Sequence, residues 1–351
     1  MSAPLPVVTP EELTRTWLSS ALGREVTGVT ATPVGTGQMG ACYRLDLSGD
    51  ASLPATLLAK LPTIDPAGRD FLHGSYAIEV TFYRDLLPTL DVRAPAASYA
   101  AISDDPAQRG VFTLLLDDLA PAEQGDQILG CTPDQARAAV ENVAGLHAPR
   151  WADPTLLDVD GLSLPGPDDA DLLDAVFGGA VDTTLAQLGG LVGEDDAALL
   201  RAVAPYAGRW STARLDRFGL VHGDYRLDNL MFHDDGRVWA VDWQTLSVGL
   251  PVRDVAFLVG TGLETDARRA HERDLVAAYH RRLVDLGVFG YDADTCWEDY
   301  RFGLLQGPLI AVLGCAYSST RTERGDRMFG VMISRSMQAI RDLGTLEILG
   351  A

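Results

Sequence analysis

The stretch "HGDYRLDNLMFHDDGRVWAVDWQ", residues 222–244, decides how this chain is read. Asp224 and Asn229 stand five residues apart, and Asp242 follows thirteen residues after Asn229. "NLMFH" and "RVWAVDW" have the composition of two short strands, joined by the turn residues Asp234, Asp235 and Gly236. Moving a phosphoryl group onto a hydroxyl requires an acceptor for the hydroxyl's proton and oxygen ligands for Mg²⁺. A carboxylate in a tight loop, Asp224, meets the first need. An amide oxygen at the loop's end, Asn229, and a carboxylate on the returning strand, Asp242, meet the second, because a hairpin brings both to one edge. His222 reads as packing beneath the loop, since a carboxylate already ionised at neutral pH is the better proton acceptor. Arg226 and Asp228 either touch substrate or fix the loop's shape.

Working outward, "GTGQMG" places Gly35, Gly37 and Gly40 in G-x-G-x-x-G spacing. In a dinucleotide-binding fold these glycines precede a helix. Here they precede "ACYRLDL" (41–47), where Tyr43, Leu45 and Leu47 alternate with polar residues, so the glycines sit between strands as in a kinase phosphate lid. "ATLLAKL" and "VFTLLL" read as buried strands, and the first carries Lys60, the only lysine among 28 basic residues. Between them "SYAIEVTFYRDLLPTL" (75–90) sets Tyr76, Val80, Tyr83, Leu87 and Leu90 on one helical face. From Thr132 onward helices dominate, over residues 132–147, 194–210, 264–287, 294–319 and 326–343. The fold class is α+β: a small β-rich lobe over 1–118, then a larger helical lobe over 119–351 with a hairpin inside it and a cleft between the lobes.

At these residues the chain resembles the aminoglycoside phosphotransferase and choline kinase superfamily, which has the protein-kinase-like fold. "GTGQMGACYRL", "AIEVTFYRDLLP", "FTLLLDDL" and the glutamine of "VDWQ" are most similar to the ecdysteroid-kinase-like branch. The likeness runs from Gly35 to Leu258. It implies an ATP-dependent phosphotransferase acting on a hydroxyl of a small organic molecule, with Mg-ATP between the lobes. It implies Asp224 as catalytic base, Asn229 and Asp242 as Mg²⁺ ligands, and Lys60 on the nucleotide phosphates with Glu79 as its ion-pair partner. The backbone from Leu115 and Leu116 to Asp117 and Asp118 becomes the hinge that meets adenine. Gly223 stands where protein kinases have arginine, and Asp-Trp-Gln replaces Asp-Phe-Gly. Both departures argue against a protein substrate. Asp254, early in "PVRDVAFLV", is implied to hydrogen-bond the catalytic loop from below, and His147 reads as structural.

Composition narrows the partners. The net charge is −21, and both 1–118 and 119–351 are acidic, at −6 and −15. A surface of this sign repels nucleic acid and anionic membrane. Four scattered cysteines and no signal-peptide pattern fit a cytoplasmic location. The most apolar segment, 302–318, holds Gln306 and Pro308 and is too short to span a bilayer, so it reads as a core helix. Three alternatives stand beside a metabolite kinase. An aminoglycoside kinase would suit the acidic second lobe. A non-catalytic nucleotide-binding protein would have lost a catalytic part. A nicotinamide-dependent enzyme would need a helix after Gly40.

Overall fold

The computed structural model describes residues 4–35, 39–318 and 320–350. The chain forms two compact units, Met1–Thr89, Ala94–Pro121 and Asp242–Thr245 in the first, and Leu90–Arg93, Ala122–Val241 and Leu246–Ala351 in the second. Two short segments therefore cross the boundary that the sequence reading set at residue 118.

The first unit is built on an antiparallel sheet of β1 (Val26–Val34), β2 (Ala41–Gly49), β3 (Thr56–Leu61), β4 (Ala97–Ile102) and β5 (Phe112–Asp117), in the order β1-β2-β3-β5-β4. Alternation in β2 does what it predicts: Leu45 is fully buried and Tyr43 and Leu47 pack against the same core. Helix α1 (Arg15–Leu22) adds Leu18 to that core. Helix α2 (Pro66–Thr81) begins nine residues before the periodic stretch. Its start is chemical rather than periodic, with Asp65 accepting from the Gly68 N–H at 2.7 Å and Pro66 in the first turn. Beyond Thr81 the helix widens into a π-helical turn, Phe82–Leu86. That turn takes an extra residue, so Phe82 joins Tyr83 in the interior.

The second unit is mostly helical, with α3 (Pro133–His147), α4 (Pro167–Leu188), α5 (Glu194–Val203), α6 (Ala207–Ser211), α7 (Val252–Gly262), α8 (Thr265–Asp285), α9 (Ala293–Gly303), α10 (Gln306–Ala316), α11 (Glu323–Leu343) and α12 (Thr345–Leu349). Its strands are β6 (Glu123–Gln124), β7 (Gly219–Val221), β8 (Leu230–Phe232), β9 (Val238–Ala240) and β10 (Ser247–Gly249). The hairpin read in the sequence is β8–β9, and β7 pairs with β10. Every residue of α7 is buried. The single helix predicted over 294–319 is two, parted at Leu304–Leu305. Pro308 has no N–H to give and its ring crowds the carbonyl four residues back, which favours a break there. Helix α4 has no counterpart in the sequence reading; Gly178 and Gly179 interrupt its pattern, yet Phe177, Ala180, Val181 and Leu188 are buried. Among the described residues, no helix is long and apolar enough to cross a membrane.

Gly145 explains how α3 meets the short segment of the second unit at Leu90–Arg93. Its carbonyl accepts from the Asp91 N–H at 3.0 Å, and a Cβ there would lie 2.6 Å from the Asp91 carbonyl. Gly74 in α2 is the contrasting case, since a Cβ there meets nothing within 4 Å. Gly145→Ala should therefore destabilise the protein by about 1–3 kcal/mol. Gly74→Ala should stabilise it by up to about 1 kcal/mol. Chemical denaturation of the two variants checks both signs.

Candidate functional site

In the first unit the site is organised by Lys60. Strand β3 carries the side chain inward, where its ammonium lies 2.7 Å from Glu79 Oε1 and 2.9 Å from Asp242 Oδ1. Glu79 is fully buried on α2, and its Oε1 also accepts from the Trp243 N–H at 3.3 Å. The Trp243 indole stacks on Phe82, with centroids 3.7 Å apart and planes 11° apart. This stack and the ion triad hold segment 242–245 in the first unit. Burial alone would lower the Lys60 pKa, but the Asp242 and Glu79 carboxylates outweigh it and hold the ammonium charged. Burial also raises the Glu79 pKa, against the opposing pull of Lys60. Asp242 has left-handed backbone, φ 67°, which aspartate tolerates better than most residues.

Gly35 follows β1 with φ 70°, and Gly37 lies outside the described residues. Gly40 packs closely on the end of β3: a Cβ there would lie 2.7 Å from the Leu61 carbonyl oxygen. The hinge expected at Leu115–Asp118 needs correction. Leu115 and Leu116 lie inside the ladder, with partners on both β3 and β4. The Asp117 N–H donates to the Ala96 carbonyl at 2.9 Å. Strand pairing thus engages the backbone through Asp117, and unpaired chain begins at Asp118. The Asp118 carboxylate is itself committed to Arg44, 2.6 Å away on β2.

In the second unit Asp224 stands in the loop between β7 and β8. Asn229 Nδ2 donates to Asp224 Oδ2 at 2.8 Å and to its carbonyl at 2.9 Å. With its side-chain nitrogen so engaged and its main-chain carbonyl accepting from the Val241 N–H at 3.0 Å, Asn229 offers Oδ1 as the oxygen for a ligand. Arg226 Nε donates to both Asp224 oxygens, at 3.0 and 3.1 Å, while its Nη1 reaches Asp228 Oδ2 at 2.8 Å. Burial works against the Arg226 charge, but Asp224 and Asp228 prevail and raise its pKa. Arg324, from the first turn of α11, lies 3.4 Å from Asp228.

Backbone contacts fix this loop. Asp254 on α7 accepts from the N–H groups of His222 and Gly223, at 2.7 and 3.0 Å. His147 turns its Nε2 to the same carboxylate at 3.2 Å and its Nδ1 to the Tyr279 hydroxyl at 2.8 Å. Burial lowers the His147 pKa. His222 points Nε2 at the Val241 carbonyl, 3.1 Å away, and so packs beneath the loop. The sequence reading missed two supports. Gln306 donates to the Gly223 carbonyl at 2.9 Å. Gln127 accepts from the Leu227 N–H at 2.9 Å, and its own N–H donates to Asp228 Oδ1 at 2.9 Å. A glutamine inside the most apolar run was the signal for the first, because a buried amide needs a partner. Nothing in the sequence marks Gln127.

Residues 209–287 match the ecdysteroid kinase-like family. Choline kinase from Cryptosporidium parvum superposes with TM-score 0.55 at 9% identity, covering 92% of each chain. Ethanolamine kinase from Plasmodium vivax gives 0.53 at 10% identity, over 89% of this chain and 83% of that one. A Ralstonia eutropha protein assigned to the aminoglycoside phosphotransferases gives 0.52 at 17% identity, over 94% and 98%. The fold is protein-kinase-like. The ecdysteroid-kinase-like resemblance read in the sequence is met by a family match over residues 209–287, and the fold it implied is the one found. Acyl-CoA dehydrogenase family member 10 of Mus musculus shares 52% identity over 46 residues, 12% of this chain. The kinase-like chain spans only 4% and 5% of the lengths of the two curated relatives it matches.

The triad has a consequence for stability that is independent of any activity. Lys60→Met leaves Glu79 buried without its cation and should destabilise the fold by up to about 3 kcal/mol. Adding Glu79→Gln should return most of that loss, and thermal unfolding of the single and double variants measures it.

Proposed function

We propose that this chain is an ATP-dependent kinase that phosphorylates a hydroxyl group of a small organic molecule. The observation that carries the reading is the half-buried Lys60 ammonium shared by Glu79 and Asp242. A compact, steerable charge held by two carboxylates suits a nucleotide's α- and β-phosphates. Asp224 is the catalytic base: it accepts the acceptor hydroxyl's proton, and Asn229 and Arg226 orient its carboxylate. Gly35, Gly37 and Gly40 form the phosphate lid, and the backbone from Asp118 onward takes the adenine. The whole-chain similarity to choline and ethanolamine kinases supports a small-molecule acceptor.

The donor set suits Mg²⁺. Asn229 offers an amide oxygen and Asp242 a carboxylate, both hard ligands. Mg²⁺ keeps few protein ligands and completes its shell with phosphate oxygens and water. When bound it would neutralise charge on the phosphates.

The direct test is ATP consumption against a panel of alcohols, amino sugars and sterols; no turnover with any of them, alongside Mg-ATP binding, would favour the non-catalytic reading. With the acceptor in hand, Asp224→Ala should lower kcat by about 10²–10⁴-fold and leave ATP affinity nearly unchanged. A loss below a few-fold removes Asp224 from its role. Mg-ATP near 100 times Kd should stabilise the protein by about 2.7 kcal/mol, and chelation with EDTA should abolish that gain. Identical thermal shifts with and without EDTA would refute the metal assignment.

A further inference from the structure

The ion triad of the first unit is a cation site that already holds a cation. The Lys60 ammonium lies 2.7 Å from Glu79 Oε1 and 2.9 Å from Asp242 Oδ1, so two carboxylates bracket one positive charge. The ammonium does not use all that the pair offers. Glu79 Oε2 is buried and accepts no hydrogen bond among the described residues. An ionised carboxylate can only accept, so such an oxygen calls for a donor or a metal ion. Asp242 is half-buried and therefore open to an ion arriving from solvent. Carboxylate oxygens are hard donors that suit Mg²⁺ and Mn²⁺, and one or two of them with water suffice for Mg²⁺. The same two oxygens can serve the ammonium or a divalent ion but not both, because like charges at contact distance repel strongly. Lys60 has the advantage of its tether. Strand β3 fixes its backbone between Cys42 on β2 and Leu114 on β5, and its flexible stem leaves the ammonium steerable.

We propose that Lys60 is the resident cation of a two-carboxylate metal site, and that it makes metal binding depend on nucleotide. Without nucleotide the ammonium stays between Glu79 and Asp242 and keeps a divalent ion out. The phosphates of a nucleotide draw the ammonium toward themselves, and Asp242 Oδ1 becomes available as a ligand. The gating rests on the nucleotide-binding reading above, whereas the two-carboxylate site stands on its own geometry.

Mn²⁺ binding to the full chain, followed without nucleotide by loss of the free-ion paramagnetic resonance signal, tests the site. Lys60→Met should bind Mn²⁺ with a Kd on the order of 10⁻⁴–10⁻³ M, the range of weak carboxylate sites. Binding to the wild type should be weaker by at least about tenfold. Adding Asp242→Asn to Lys60→Met should abolish the gain; ions held loosely on the acidic surface are common to all variants and cancel in the comparison. Lys60→Gln keeps a neutral donor for Glu79, should show the same gain, and decides the matter if Lys60→Met does not fold. In thermal unfolding the wild type should respond to Mn-ATP and not to Mn²⁺ alone. A wild type that binds Mn²⁺ as tightly as the Lys60 variants overturns the inference. So does a gain that survives Asp242→Asn. A wild type that responds to Mn-ATP, with no gain in either Lys60 variant, removes the inference alone. A gain in the variants, with a wild type indifferent to Mn-ATP, removes the nucleotide reading and the gating with it.

Discussion

The first unit depends on a half-buried ammonium with two carboxylate partners. Lys60 comes from β3, Glu79 from α2 and Asp242 from a segment more than 160 residues further along the chain. Glu79 is fully buried, so leaving its carboxylate without the Lys60 ammonium is costly. Their mutual dependence fixes the helix against the sheet and anchors the returning segment. It also explains the one lysine in an arginine-rich chain: a compact ammonium fits between Glu79 and Asp242, where a planar guanidinium would need more space.

The second unit solves a different problem, holding a loop still. It does so mainly through the loop's own peptide groups. Asp254 takes two successive N–H donors, Gln306 donates to one carbonyl, and Gln127 engages the next stretch from the other side. These supports stand on α7, α10 and the chain after β6, so the loop inherits the rigidity of a buried helix bundle. Asp224 is then aimed by Asn229 and Arg226, and Asn229 also ties down the Asp224 carbonyl.

Much of this was legible in the sequence, for local reasons. The strands β2, β3 and β5 announced themselves through alternation or apolar runs, and the hairpin through its Asp-Asp-Gly turn. Asp224, Asn229 and Asp242 could be singled out because their spacing is set within a few residues. What escaped was non-local. The start of α2 lay in a cap and a proline rather than in periodicity, and α4 was hidden by adjacent glycines. Leu115 and Leu116 were assigned to a hinge because a strand's last residue cannot be read without knowing its neighbours' lengths. Gln127 acts on a backbone group far off in sequence, and no spacing rule marks such a partner.

The placement of Asp242–Thr245 in the first unit bears on how the polypeptide is made. The sheet and α2 are complete by Pro121, yet the Phe82 ring and the Lys60–Glu79 pair wait for residues some 120 positions downstream. At translation speeds of about 5–20 residues per second, that interval lasts on the order of ten seconds. For that time the emerging unit lacks the Trp243 ring that stacks on Phe82 and the second carboxylate beside Lys60. The last contact of the first unit is thus made only after much of the second has been synthesised, which ties the maturation of one to the progress of the other.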